Sequence, residues 1–382
     1  MRGLSIVATL LIASAAPAVA LADEAAPAAA RVAAPSAAER PRVDVVFCID
    51  CSGSMGGVIE TAKQKVWSIV NEVAKARPTP QLRIGLMGYG DADRQFRVFP
   101  LSDDLDEVYK NLMTFKDEGW GDEFVGLMIH KATTEMPWGT GKNDLKVIYV
   151  VGNETARQGP EQFDYAKTAP AAIARGIIVN AIYCQGGASE PTWMEVASLA
   201  DGKYLQIAAD GGAVVVATPY DKELAELNAK LNGTYLAYGP RGAAAAANQQ
   251  QQDLAASAMP TVGGAVLADR AAAKATGMYQ NAGWDLVDAS KQKDFDLKKV
   301  SADALPEEMR KMSPEERAKH LEQKAAERAE IQKQIGEVAA KRDAHVKTEL
   351  EKQGRDGKDA LDVAVRSSIK EQAAKRGFKF GE

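Results

Sequence analysis

Cysteine and histidine are both scarce in this chain, at three residues each in 382. Cys48, Cys51 and Cys184 make an odd set, so at least one thiol stays unpaired or pairs between chains, and a disulfide scaffold is excluded. Cys48-Ile49-Asp50-Cys51 has C-x-x-C spacing, but Cys48 falls inside an apolar run rather than at a helix start, where a redox thiol is activated. The run reads as buried structural thiols, with a strained local disulfide as the alternative in an oxidising compartment. His130, His320 and His345 fall on helical patterns and read as solvated or packed imidazoles. There is no G-x-S-x-G elbow, no H-E-x-x-H pair and no phosphate-binding loop, and Asp117-Glu118 before Gly119 reads as a solvated turn, so no enzyme is expected. Charge of one sign is lacking too. With 47 basic against 52 acidic residues, there is no dense basic surface to displace counterions, and no nucleic-acid partner is expected. Beyond the N-terminus no apolar run is long enough for a transmembrane segment in the mature chain.

What is present begins with an export signal. Arg2 supplies a positive start, residues 6–16 an apolar core, and Ala20-Leu21-Ala22 a small-x-small cleavage site. Residues 1–22 are therefore read as a signal peptide, the mature chain as starting at Asp23, and the protein as secreted or periplasmic. Residues 23–41 are an Ala- and Pro-rich linker with too little large apolar material to fold.

From Val43 onward apolar runs alternate with helical periodicity, the pattern of a parallel sheet wrapped by helices. Strands are expected at 43–50, 83–89, 96–101, 145–151, 177–184 and 204–207, the second and third as an antiparallel edge pair. Val58, Ile59, Ala62, Val66, Ile69, Val70 and Val73 form one apolar stripe, so a helix follows the first strand and stops before Pro78. Further helices are expected at 105–115, 124–136 and 192–200, and around Leu224, Leu227 and Leu231. The fold class is α/β: a doubly wound, mostly parallel sheet with helices on both faces, then an α-helical C-terminal region. The expected division is a domain at 42–239, a low-complexity and helical connector at 240–300, and a charged helical region at 301–382. Gly242 to Gln252, an Ala tract running into a Gln tract, is read as a linker or a weak helix. Ser313-Pro314-Glu315-Glu316 is a capping box opening a long charged helix, whose sparse apolar positions suit a coiled coil or oligomer contact without an unbroken heptad.

Asp50-Cys51-Ser52-Gly53-Ser54 sits at the carboxyl end of the first strand, the edge where open parallel sheets bind ligands. A carboxylate and two hydroxyls in one tight loop are hard oxygen ligands for a small divalent cation. With Val43 to Phe47 ahead of it and Met55-Gly56 behind it, this segment resembles the von Willebrand factor A family and its metal-ion-dependent adhesion site. The Gly119-Trp120-Gly121-Asp122 turn and the segment from Trp193 to Tyr204 support the likeness. The resemblance implies a Mg2+ or Mn2+ ion at the sheet apex, held by Asp50, Ser52 and Ser54, with an open position for a partner's carboxylate. Two positions depart from the family pattern. Gly121 stands where a threonine ligand is usual, with Asp122 next to it, and Asn153 stands where an aspartate is usual, with Asp122 or Glu154 as the substitute, so the adhesion site is degenerate. Either a weakened cation site or a loop merely braced by Asp50 and the serines follows.

The functional expectation is an exported binding or adhesion-type protein that captures a protein ligand, through an acidic side chain, at the apex. The alternative is a metal-independent structural or assembly protein of the cell envelope that associates through its C-terminal helices. A hydrolase centred on residues 243–301 is the third reading.

Overall fold

The computed structural model describes residues 40–90, 97–119, 121–185, 187, 189–212, 214–354 and 360–380. The segment read as an export signal, nearly all of the expected 23–41 linker and Trp120 lie outside the described residues. In chain order the elements are β1 (Arg42–Asp50), α1 (Gly56–Ala74), β2 (Ala76–Arg77), β3 (Gln81–Tyr89), β4 (Arg97–Ser102), α2 (Leu105–Leu112), α3 (Val125–Glu135), β5 (Leu145–Gly152), α4 (Tyr165–Ile173), β6 (Ile178–Tyr183), α5 (Pro191–Leu199) and β7 (Tyr204–Gln206). They continue as α6 (Asp221–Asn232), α7 (Gly242–Ser257), α8 (Gly263–Lys274), α9 (Leu286–Ala289), α10 (Pro314–Lys352), α11 (Leu361–Ala374) and β8 (Lys379–Phe380).

Six strands form one sheet in the order β4-β3-β1-β5-β6-β7, parallel except for β4, which runs antiparallel to β3. The side-chain period of two divides β1 between two cores. Val43, Val45, Phe47 and Ile49 join α1, α2 and α11 on one face, whereas Val46 and Cys48 join α3, α4 and α5 on the other. This is the doubly wound α/β sheet expected from the apolar runs. β1 pairs with β3 on one side and β5 on the other, so the chain reverses its direction of winding there and the carboxyl end of β1 lies at the switch point.

The segments after β7 are ordered by polar contacts that composition conceals. α7 is a full helix despite its Ala and Gln tracts, because Gln249, Gln252 and Asp253 are buried. Gln249 Nε2 donates to Tyr279 Oη at 2.9 Å, and Asp253 accepts from Arg270 Nε at 2.6 Å and pairs with Lys274 Nζ at 3.1 Å. The capping box of α10 is present: Glu316 N donates to Ser313 Oγ, and Glu316 Oε2 accepts from Ser313 N. The apolar stripe of α10 is used within the chain. Ile331, Ile335 and Val338 pack against Leu224, Leu227 and Leu231 of α6 and against Ala268 and Ala271 of α8. No described helix is long and apolar enough to cross a membrane.

Candidate functional site at the sheet apex

Asp50 ends β1 fully buried, and the loop after it is shaped around its carboxylate. Ser52 N donates to Asp50 Oδ1 at 2.7 Å, and Ser52 Oγ donates to Asp50 Oδ2 at 3.0 Å. Ser52 Oγ lies 3.2 Å from Ser54 Oγ, which accepts from Asn153 Nδ2 at 2.9 Å. A continuous chain of contacts thus joins the ends of β1 and β5. Two glycines make room for it. A Cβ on Gly90, whose φ is +85°, would lie 2.3 Å from Asp50 Oδ1, and one on Gly119 would lie 2.2 Å from Gly90 O. Gly119 is bound to the loop directly, with Gly53 N donating to Gly119 O at 3.1 Å and Gly119 N to Cys51 O at 2.8 Å. Gly119, the first residue of the turn singled out in the sequence, therefore lies against the Asp-x-Ser-x-Ser loop.

The acidic side chain brought to Asp50 is Glu123. Asp122 is exposed, while Glu123 is 2% exposed and lies beside Asp50 and Ser52. Burial, followed by the charge of Asp50 beside it, pushes the Glu123 carboxyl up to about 9, so at neutral pH it carries the proton of the pair. Burial also raises Asp50. Glu123 N is held by Gln158 Oε1 at 2.7 Å, and Gln158 Nε2 donates to Glu154 Oε2 at 2.8 Å, which turns the exposed Glu154 toward Gln158. Among the described residues, Glu123 Oε2 and Asn153 Oδ1 are buried acceptors with no hydrogen-bond partner.

These oxygens fit a hard divalent cation in kind: the carboxyl groups of Asp50 and Glu123, the hydroxyls of Ser52 and Ser54, and the unpartnered amide oxygen of Asn153. Among the described residues no group of three or more His, Cys, Asp or Glu side chains is placed to hold a metal. Asn153 presents an amide where a carboxylate would add charge.

The three cysteines are free thiols. Cys48 and Cys184 are buried, and burial pushes the partly buried Cys51 up to about 12, which suppresses the thiolate that redox chemistry needs. His130 packs on Phe163, and His320 and His345 lie on α10, away from the loop at Asp50 in sequence and element.

Residues 44–218 match the von Willebrand factor type A domain family. Among solved structures the chain is similar to the conserved hypothetical protein BatB from Bacteroides thetaiotaomicron, at 18% identity and TM-score 0.34, over 44% of this chain and 90% of that one. It is similar to the VWA domain of SpRpn10, at 18% identity and TM-score 0.35, over 44% of this chain and 88% of that one. Proximal thread matrix protein 1 from the mussel byssus, in a structure with a zinc-occupied MIDAS motif, matches at 15% identity and TM-score 0.37, over 45% of this chain and 43% of that one. No curated protein matches the chain.

Proposed function

Because residues 44–218 form a von Willebrand factor type A domain, a binding module rather than a catalyst, we propose that this protein is an exported partner-binding or assembly component whose contacts need no resident metal. The observation that carries this reading is the Asp50–Glu123 pair. With Glu123 protonated the two buried carboxyl groups escape like-charge repulsion, while Ser52, Ser54 and Asn153 close the loop through hydrogen bonds. Export rests on the N-terminal pattern of Arg2, an apolar core and Ala20-Leu21-Ala22. The helices after β7 supply a stiff frame for the sheet, since their apolar faces are spent on each other, on α1 and on β5 and β6.

A second reading, capture of an acidic partner through a bound cation, is favoured by the two unpartnered acceptors Glu123 Oε2 and Asn153 Oδ1. Asp50, Ser52, Ser54 and Glu123 would then hold Mg2+ or Mn2+, and the ion would supply positive charge for a carboxylate. On this reading Asp122 stays a surface residue, and Glu123 takes the place the sequence gave it.

A pull-down from envelope extract with and without chelator, using Asp50→Ala as control, separates the two. Partner capture that survives chelation supports the metal-independent reading. Capture that is lost on chelation, and lost again in Asp50→Ala, supports the cation. Calorimetric titration with Mg2+ or Mn2+ alone checks whether binding exists without a partner. Asn153→Asp should strengthen such binding by about tenfold or more, because magnesium gives up water only against compensating charge.

A further inference from the structure

We infer that residues 212–360 are an insertion into the A domain, and that α11 with β8 is the clasp that completes the domain after the excursion. The chain leaves and returns at one point: Leu361 N donates to Gly211 O at 3.0 Å. That point is fixed on α1. Thr61 Oγ1 donates to Asp210 O at 3.0 Å, and Gly211, at φ +83°, lies so close to Thr61 that a Cβ would meet its Oγ1 at 2.6 Å. Adjacent ends are what allow a loop to take a long insert, since the entropy of closure grows only slowly with the length between them.

The sheet needs what the excursion brings back. On the face that carries Val45 and Phe47, α1 and α2 cover β1, β3 and β4, whereas Val147, Tyr149 and Val151 of β5 and Ile178 and Ile182 of β6 share their core with Leu361, Val365 and Ile369 of α11. The polar groups there are matched as well. Tyr149 Oη and Ser368 Oγ are 2.7 Å apart. Asn180 and Gln372 form a reciprocal amide pair, Asn180 Nδ2 donating at 3.1 Å and Gln372 Nε2 at 2.7 Å. Asn180, Ser368 and Gln372 are all buried, so a sheet without α11 would expose a wide apolar face and leave two buried polar groups of β5 and β6 without these partners. At the opposite end Phe378 is buried, and β8 pairs antiparallel with β2, tying the clasp to the far end of α1. The family match stops at residue 218, where the excursion has begun. None of this depends on whether the apex holds a cation.

Native-state hydrogen exchange on the full chain, read by peptide mass, tests the clasp. The 361–374 amides should exchange in the slowest class together with β1, β5 and β6, because residues of one cooperative unit open together. Ile369→Ala should lower protection in α11, β5 and β6 by the same factor, about tenfold or more, while leaving residues 343–352 of α10, none of them buried, unchanged. Exchange of 361–374 in step with α10 and ahead of β5 and β6, in the unaltered chain, would overturn the inference whatever the variant does. So would loss of protection in α11 alone in Ile369→Ala.

Discussion

Two carboxyl groups face each other away from water at Asp50 and Glu123, and the arrangement is tolerable only while one of them is neutral. Its cost depends on pH with a definite sign. Glu123 rises from its usual 4.5 to about 9 in the folded chain, so between those values the native state binds more protons than the unfolded one. Stability must therefore fall as pH climbs from about 4.5 toward 9, and the full penalty applies above 9. Glu123→Gln keeps the shape without the ionisation and should flatten that slope, raising the melting temperature at pH 8 by a few degrees relative to the parent and changing little at pH 4. Thermal melts of both proteins across pH 4–9 check this; parallel curves would remove Glu123 from the account. The Asp50 loop was legible because Asp-x-Ser-x-Ser follows an apolar run that can only be a buried strand. Glu123 was not, because Asp122 and Glu123 are chemically alike and adjacent. Only the path of the backbone, with Gly119 pressed on Gly90 and Glu123 N bound to Gln158, decides which one turns inward.

Among the elements, the helices after β7 show the same division between what periodicity reveals and what it hides. The start of α10 is written in Ser313-Pro314-Glu315-Glu316, and its apolar residues are few because arginines share the buried face. Arg328 is 1% exposed, pairs with Asp285 at 2.6 Å and Asp288 at 3.2 Å, donates to Thr234 Oγ1 at 3.0 Å, and lies 4.1 Å from the centre of the Tyr235 ring. Arg342 joins Asp221 and Asp269 in the same manner at 2.7 and 2.8 Å. A reader of the sequence sees charged residues and infers solvent, so the helix looks more exposed than it is. Removing one partner of such a buried group leaves the other charged and unsatisfied. Arg328→Ala should cost about 3–5 kcal/mol, whereas Lys333→Ala, which removes an exposed pair with Glu337, should cost under about 1 kcal/mol. Urea midpoints of the two variants make the comparison, and equal small losses would mean that Arg328 is solvated. Asn232, part of a glycosylation-type tripeptide, is likewise occupied: its amide donates to Asp253 at 2.6 Å and its Oδ1 accepts from Lys274 at 2.5 Å.

For the whole molecule, the cores decide how many unfolding units there are. The described residues from Arg40 to Phe380 form a single compact unit, and one apolar core joins sheet residues such as Phe47 and Tyr149 to Val266, Tyr279, Val365 and Phe378 from the last third of the chain. Tyr279 Oη donates to Asp106 of α2 at 2.6 Å, and Arg270 Nη1 lies 2.7 Å from the other oxygen of that carboxylate, so the helical region is also tied to the A domain by buried charge. Local patterns in the sequence cannot announce such pairings, because the residues that meet are far apart along the chain. They bear on unfolding in a measurable way. In a Trp284→Phe background, which removes the tryptophan buried in the helical region, Trp67, Trp138 and Trp193 report on the sheet and its helices, whereas far-UV ellipticity is weighted toward the long helices between α6 and α11. If the regions share their core, tryptophan fluorescence and ellipticity should give one coincident urea transition, and Ile335→Asp, buried between α10 and α6, should lower both midpoints together. A helical region that folds by itself would instead give two midpoints, with Ile335→Asp moving only the ellipticity and leaving the fluorescence of the sheet where it was.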